Sequence, residues 1–274
     1  MSPSADTSSE VLAGESRRRE VPVFTDTHCH CLPGLDDGPQ DLAGALVLCR
    51  ALAHDGITQV VATPHQLGRF DGRCETALVR RTVIELNRVL HEKQIALTIL
   101  PGADVRLDER IPQLLESDAV LTVADGRRYL LLELPHEVFI DPQVLLERLK
   151  EMGITAVITH PERHDFLARN PAYVSRWLEY RPCLQITAAS FLGDFGRQSE
   201  EAAWAFVGTD LPVVVATDAH DVDSRSPCMT AAYRRLVQRL GPSAARMLCV
   251  ENPRRLAIGQ ELLALGEASR KEAE

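Results

Sequence analysis

The sequence lacks any long apolar run. No stretch of its 274 residues approaches the roughly 18 consecutive apolar residues that a membrane helix needs. Residues 1–20 also lack the apolar core of a secretory signal peptide, and we expect them to form a disordered polar tail. These absences predict a cytoplasmic protein that does not insert into a membrane.

Patterned cysteines and excess positive charge are absent as well. Seven cysteines occur at irregular intervals, which predicts reduced thiols rather than a disulfide framework. The formal net charge is −9, whereas a nucleic-acid-binding surface needs a basic patch, so nucleic acid is excluded as a partner. The same charge would repel a phosphorylated substrate unless bound metal ions reverse the sign locally.

Short apolar runs alternate with longer amphipathic stretches along the chain. Several of the runs are rich in Val and Ile, which is typical of buried parallel strands. The predicted strands cover 23–26, 59–63, 97–101, 129–134, 155–159, 184–187 and 213–217. Seven strand-and-helix units predict a single α/β domain over 21–262, either a barrel or a doubly wound sheet, followed by a charged tail or helix end over 263–274.

Histidines and carboxylates follow directly after these predicted strands, and five of the nine histidines lie at such ends. In a barrel the C-terminal ends of all strands share one rim, where active sites form. In His28-Cys29-His30 and Asp218-Ala219-His220, side chains two residues apart point to the same side, so both can reach one ion. The candidate metal ligands are His28, His30, Asp37, His65, Asp104, Glu133, His160, Asp218 and His220.

Mixed imidazole and carboxylate ligands favour Zn, Mn or Fe over Ca or Mg, and nine candidates predict more than one ion. Paired metals can hold a hydroxide and clamp a phosphoryl group. We assign Asp26 and Asp36 to loop capping or to orienting ligands. His136 and His164 lie near the predicted rim but outside the pattern, and we leave them out of the site.

A cysteine-based phosphatase mechanism is excluded. The spacing of Cys, five residues and Arg that such enzymes use occurs three times, at Cys74, Cys228 and Cys249. None of these segments has the glycine-rich loop whose amides would cradle a phosphate. Cys29 and Cys31 alternate with the candidate histidine ligands, so we expect their side chains to point away as small core residues.

The motifs together resemble the polymerase-and-histidinol-phosphatase (PHP) family, and within it the CpsB/YwqE-type branch of bacterial protein tyrosine phosphatases. The resemblance covers about residues 23 to 257. It rests on DTHCHCLPGLDDG, VVATPH, PGADV, LLLELP, THPER, QITAASFLGDFG and ATDAH with Arg225 following. It implies a distorted (β/α)7 barrel of the PHP type.

The resemblance also implies three divalent ions, usually manganese, with Zn or Fe as alternatives. His28, His30 and Asp218 would hold the first ion, and Glu133 and His160 the second, with Asp104 bridging the two. Asp37, His65 and His220 would hold the third. Arg163 and Arg225 match arginines that grip phosphate, a role that suits a planar bidentate donor. The family usually has Glu where this sequence has Asp104, one methylene shorter.

The function implied is hydrolysis of protein phosphotyrosine, with a bacterial tyrosine autokinase of capsule or exopolysaccharide export as the partner. A small-molecule phosphatase acting on a substrate such as histidinol phosphate would need the same metals. A non-catalytic metal-binding interaction module is the alternative from another class, and both arginines argue against it. The loop 66–73, with Arg69, Phe70 and Arg73, would receive an aromatic, acidic peptide or else form a solvated turn.

Overall fold

The strands of the structure, a computed structural model, follow the predicted apolar runs closely. It describes residues 22–136 and 138–267, so the tail predicted over 1–20 and the end of the tail predicted over 263–274 lie outside the described residues. The strands are β1 (Phe24–Cys29), β2 (Ile57–Ala62), β3 (His65–Gln66), β4 (Thr98–Pro101), β5 (Asp104–Arg106), β6 (Tyr129–Glu133), β7 (Thr155–Thr159), β8 (Cys183–Thr187) and β9 (Val213–Ala216).

Helices occupy most of the connections between strands. They are α1 (Leu42–His54), α2 (Thr76–Glu92), α3 (Ile111–Glu116), α4 (Gln143–Glu151), α5 (Asp165–Arg169), α6 (Gly196–Val207), α7 (Met229–Leu240), α8 (Pro242–Arg246) and α9 (Asn252–Ala257). The predicted end of α1 is confirmed, since Gly56 follows it with a φ of +87°. No helix within 22–136 or 138–267 is long and apolar enough to cross a bilayer.

The strands form two parallel sheets in an α/β domain. One has the order β1-β2-β4, and the other has the order β3-β5-β6-β7-β8-β9. The two short strands β3 and β5 were not predicted; they follow directly on β2 and β4. The sheets also meet beyond β1 and β9, where the amide of His30 donates to the carbonyl of Ala219 at 2.9 Å.

The two faces of the strands bury different sets of side chains. One face packs against the helices in the main apolar cluster, with residues such as Val60, Leu132 and Ile158. Side chains on the opposite face form a second, smaller apolar cluster, which α9 also contacts. That cluster contains Val61, Val123, Tyr129, Leu131, Val157, Cys183, Val214, Leu256, Ala257 and Leu262.

The second face changes from apolar to polar toward the C-terminal ends of the strands. Glu133 lies two residues after Leu131, and Gln185 lies two residues after Cys183. Because side chains alternate along a strand, each of these polar residues shares the face of the apolar residue before it. The candidate site therefore lies directly above the smaller cluster.

Gly102, between β4 and β5, provides a test of this packing. A Cβ atom there would lie 2.6 Å from Cγ1 of Val61 and 3.2 Å from the carbonyl oxygen of Ala62. We expect Gly102→Ala to lower the free energy of unfolding by about 1–3 kcal/mol, because β2 must move to admit the methyl group. Urea denaturation measures the change.

Gly208→Ala is the matched control, since its nearest neighbour would be the Ala205 carbonyl oxygen at 3.4 Å and its φ is −84°. It should change stability by no more than about 0.5 kcal/mol. Equal stability of the two variants would show that the contact of Gly102 with Val61 imposes no constraint.

Candidate metal centre

The nine candidate ligands predicted from the sequence lie together at the C-terminal ends of the strands. The donor atoms of eight of them, all but Asp218, fall into overlapping groups, within each of which the atoms lie within 4.8 Å of one another. The groups are His30 with Asp37, His65 and His220; His28 with His30 and Asp104; His65 with Asp104 and Glu133; and Glu133 with His136 and His160. Each group is able to bind a metal ion.

His28, His30 and Asp218 form the most buried part of the centre. The Nε2 atoms of the two histidines are 3.1 Å apart, and Oδ1 of Asp218 lies 3.3 Å from that of His28 and 3.5 Å from that of His30. Burial lowers the pKa of His28 to about 3. Burial also acts to lower the pKa of His30, but Asp36 and Asp218 outweigh it and raise the value to about 10. A cation at these nitrogens therefore competes with a proton on His30.

Hydrogen bonds on the opposite nitrogen fix the orientation of three imidazoles. The Nδ1 atom of His28 donates to Oε1 of Gln185 at 2.7 Å, and that of His30 donates to Oδ2 of Asp36 at 2.6 Å. In His220 the same atom donates to the carbonyl of Asp218 at 3.0 Å. In each ring Nε2 is left directed into the centre, which is the arrangement that metal-binding histidines use.

The loop 35–38 brings two aspartates to the edge of the centre. Asp36 also accepts a hydrogen bond from the amide of His65 at 3.0 Å, so its predicted orienting role is confirmed by the contacts. Oδ1 of Asp37 lies 3.4 Å from Nε2 of His220 and 3.5 Å from Nε2 of His65. Asp37 is exposed and also forms an ion pair with Arg69.

Asp26 lies behind the centre. Among the hydrogen bonds of the described residues, its carboxylate reaches the candidate ligands only at the backbone amide of His28. Its Oδ1 accepts from the amides of Thr217 at 2.9 Å and His28 at 3.4 Å, and its Oδ2 accepts from the Thr217 hydroxyl. It thereby joins β1 to the segment after β9. Burial raises the pKa of Asp26 to about 7.

Asp104 is fully buried among the histidines. Its Oδ1 accepts from the Thr159 hydroxyl at 3.2 Å, while Oδ2 has no hydrogen-bond partner among the described residues. Oδ2 lies 3.5 Å from Nδ1 of His65, 3.6 Å from Nε2 of His28 and 4.0 Å from Nε2 of His160. Burial and the neighbouring Glu133 carboxylate raise the pKa of Asp104 well above its usual range. A buried oxygen facing three imidazoles fits a divalent cation.

Two candidate ligands hold unusual backbone conformations. His160 has a φ of +36° and Asp218 a φ of +53°, both in the left-handed region. Non-glycine residues adopt this region rarely, and such strain concentrates at functional sites. In both residues the turn directs the side chain into the centre directly after a strand.

Arg163 and Arg225 converge on one oxygen of Asp218. Both donate to its Oδ2, Arg163 at 2.5 Å, and Arg225 also donates to Nε2 of His220 at 2.9 Å. They line a pocket of about 370 Å³ together with Arg69 and Arg106. Each guanidinium pairs with a carboxylate that also lines the pocket: Arg69 with Asp37, Arg106 with Glu133, and Arg163 and Arg225 with Asp218.

The cysteines take no part in the centre. All seven are free, and Cys29 and Cys31 are fully buried in the main apolar cluster, as predicted. Burial raises the pKa of Cys74 and that of Cys228 to about 12, and it also raises that of Cys249. Thiols with raised pKa values are poor nucleophiles, which agrees with the exclusion of a cysteine mechanism.

Comparison with known proteins decides the family. Residues 24–257 match the CpsB/CapC family of capsular polysaccharide synthesis. The chain belongs to the CpsB/CapC family. It is 33% identical to tyrosine-protein phosphatase YwqE of Bacillus subtilis over 238 residues, 86% of this chain and 92% of that protein. It is 29% identical to tyrosine-protein phosphatase CpsB of Streptococcus pneumoniae over 243 residues, 86% of this chain and 98% of that protein.

A solved structure supports the same assignment. It comes from work on YwqE of Bacillus subtilis and CpsB of Streptococcus pneumoniae, described as metal-dependent tyrosine phosphatases. It has a TM-score of 0.83 and 33% identity and covers 88% of this chain and 96% of that chain. A lactonase from Listeria monocytogenes, at 13% identity and a TM-score of 0.56 over 88% of this chain and 96% of that chain, shares the fold alone.

The structure brings residues to the centre of this CpsB/CapC family member that the sequence did not single out. His136 joins the group of Glu133 and His160, and Arg106 lies 3.2 Å from Oε2 of Glu133. Gln185 orients His28 from within β8. Gln185 could have been noticed as a polar residue in an apolar strand. His136 lies near the predicted rim but is left out of the sequence-predicted site, whereas its donor atom lies within 4.8 Å of those of Glu133 and His160.

Asp104 gives the sharpest test of the centre. We expect Asp104→Ala to lower bound metal by at least one equivalent, because the buried anion between the imidazoles is lost. Asp104→Glu should retain the metal, since it keeps a carboxylate there. Elemental analysis of the purified variants measures the metal content. Full metal in the alanine variant would show that Asp104 is not a ligand.

Proposed function

We propose that this protein is a metal-dependent phosphomonoesterase that hydrolyses phosphotyrosine on proteins. The observation that carries the proposal is the position of Arg163 and Arg225. Both guanidinium groups lie in the pocket whose walls also include His65, Glu133 and His160. Donors for phosphate and donors for metal ions therefore face the same space, as metal-assisted phosphoryl transfer requires.

The metal ions of the proposal are three divalent ions, with manganese first and Zn or Fe as alternatives. His28, His30 and Asp218 would hold the first, Glu133 and His160 the second with Asp104 between them, and Asp37, His65 and His220 the third. The group of His30, Asp37, His65 and His220 supports the third set, and the distances of Asp218 from His28 and His30 support the first. When bound, such ions would offset the phosphate charge and lower the pKa of bound water.

We further propose that the phosphatase domain spans 21–262 and that its two sheets form one distorted barrel of seven strands. In this description β3 continues β2 and β5 continues β4. The pairing of Cys29 with Ala219 and the shared inner apolar cluster support closure between β1 and β9. A closed barrel would direct all strand ends toward one rim.

Arg163 and Arg225 would bind the non-bridging oxygens of the phosphate. Each guanidinium has fixed N–H donors that match a phosphate bidentately. The ring of Phe195 lies 4.3 Å from the guanidinium carbon of Arg163 and restricts its movement. Both arginines form ion pairs with Asp218, and a bound phosphate would replace that carboxylate as the acceptor of their N–H groups.

The pocket wall suits an aryl phosphate on an acidic or neutral peptide. Phe70 stacks on His65 with ring centroids 5.2 Å apart, and Arg69 lies over Phe70 at 4.6 Å. Arg69 and Arg106 are paired with Asp37 and Glu133, so the charge of this wall does not separate the two substrates. The ring of Phe70 favours phosphotyrosine over the small-molecule alternative.

The partner in this proposal is a phosphotyrosine-containing protein, a bacterial tyrosine autokinase of capsule or exopolysaccharide export. The family description, capsular polysaccharide synthesis, and the names of the relatives support that choice. The reaction would take place in the cytoplasm, where reduced thiols such as the seven found here persist.

A phosphatase assay of the metal-loaded protein tests the function. The protein should release phosphate from a phosphotyrosyl peptide faster than from histidinol phosphate. Chelation should abolish turnover and Mn²⁺ should restore it, whereas iodoacetamide should have no effect. Faster turnover of histidinol phosphate would favour the small-molecule alternative, and no turnover of either substrate by metal-loaded protein would favour the interaction module. Loss of activity on alkylation with the metal still bound would reject the metal mechanism.

Arg163→Ala and Arg225→Ala should each lower kcat/KM on phosphotyrosine while leaving the metal content unchanged. Loss of a charge-assisted contact to phosphate costs roughly 1.5–3 kcal/mol, or about ten- to a hundredfold in rate. Steady-state kinetics measure the effect. Arg197→Ala, at an exposed position of α6 paired only with Glu201 among the ion pairs described, is the control. Wild-type kinetics from either pocket variant would remove that arginine from the site.

A further inference from the structure

His136 has no role in the resemblance to the PHP family, yet it lies beside two candidate ligands of the second ion. It follows β6 at the third position after Glu133 and lines the pocket. Its side chain is 38% exposed, so packing in an apolar core does not account for its position beside these residues. The donor atoms of Glu133, His136 and His160 lie within 4.8 Å of one another.

The distances around Glu133 are informative. Its Oε1 lies 3.5 Å from Nε2 of His136 and 4.0 Å from Nε2 of His160. A distance of 3.5 Å exceeds the roughly 2.7–3.2 Å of an ordinary N–H···O hydrogen bond. Two atoms bound to one ion at about 2.1 Å, at a tetrahedral angle, lie about 3.4 Å apart. The separation therefore fits shared coordination better than a direct hydrogen bond.

The two imidazoles are arranged as a pair. Their ring centroids lie 5.3 Å apart, and the ring planes differ by only 18°. Both Nε2 atoms face the same carboxylate oxygen, Oε1 of Glu133. The other oxygen, Oε2, is engaged elsewhere, 3.2 Å from Arg106 and 3.7 Å from Nδ1 of His65. Glu133 thus presents one oxygen to the histidine pair and the other to the rest of the pocket.

We propose that His136 is a ligand of the second metal ion, which is then held by Glu133, His136 and His160 with Asp104. This inference rests on the proposed metal centre but not on the proposed substrate. His136 lines the pocket and would be the most exposed of these ligands, at 38% of its side chain. Two imidazoles also suit Zn or Fe better than a site of carboxylates alone would.

Metal binding by the full-length protein tests the inference without an activity assay. Protein freed of metal by chelation is titrated with Mn²⁺ and, separately, with Co²⁺, and the bound equivalents are counted by elemental analysis. His136→Ala should lower the affinity for one of the bound ions by at least about tenfold. Even the loss of a residue that only hydrogen-bonds a metal ligand has an effect of that size. The visible spectrum of the Co²⁺ form should change as an imidazole leaves the coordination sphere.

His91→Ala is the matched control, because His91 is an exposed histidine of α2 far from any candidate ligand in sequence. It should bind metal as the wild type does. His136→Gln serves as a second variant, and thermal melting of both variants verifies that they fold. Unchanged metal affinities, stoichiometry and Co²⁺ spectrum in both folded His136 variants would overturn the proposal.

These readouts separate the inference from the proposed function. A wild-type protein that binds metal through His136 but does not hydrolyse phosphotyrosine would contradict the function and leave the ligand assignment standing. If the wild-type protein hydrolyses phosphotyrosine and neither His136→Ala nor His136→Gln alters metal binding, the function stands and the ligand assignment is contradicted.

Discussion

The burial of three carboxyl groups in one small space constrains the rest of the structure. Asp104, Glu133 and Asp218 are all buried at the ends of strands, and ionised carboxylates lose several kcal/mol of solvation each on burial. Arg163 and Arg225 compensate Asp218, and Arg106 compensates Glu133. Asp104 has imidazoles beside it but no guanidinium among the residues of 22–136 and 138–267, and its pKa is raised. Its charge is the one that a bound cation would stabilise most, which links metal binding to the stability of the fold.

The layer of residues behind the candidate ligands keeps them in place. Asp36 and Gln185 hold the imidazoles of His30 and His28 through Nδ1, so each ring has one fixed orientation. The loop that carries Asp36 approaches β1 so closely that a Cβ at Gly38 would lie 2.2 Å from the His30 carbonyl oxygen. Glycine is needed there because any side chain would push both aspartates of the loop away from the histidines.

The distribution of charge explains how an acidic protein can receive an anion. The net charge is −9, yet Arg69, Arg106, Arg163 and Arg225 line one pocket. Each of these arginines pairs with a carboxylate, so an incoming phosphate would compete with that carboxylate for the guanidinium donors, and bound metal ions would add positive charge. The aromatic ring of Phe70 in the same wall adds an apolar contact, so charge and shape together favour a phosphorylated aromatic ring.

The sequence by itself determined the strands and most of the candidate ligands, because both follow short-range rules. Short apolar runs located β6, β7 and β9 within a residue or so, and two-residue spacing placed His28 with His30. Only the tertiary structure decided the division into two sheets, because β3 and β5 are two and three residues long and carry no periodic signal. It also decided the positions of His136, Arg106 and Gln185. Arg106 and Gln185 contact residues that are distant in sequence, and such proximity arises from the packing of strands. His136 is close to Glu133 along the chain, but only the fold brings it beside His160.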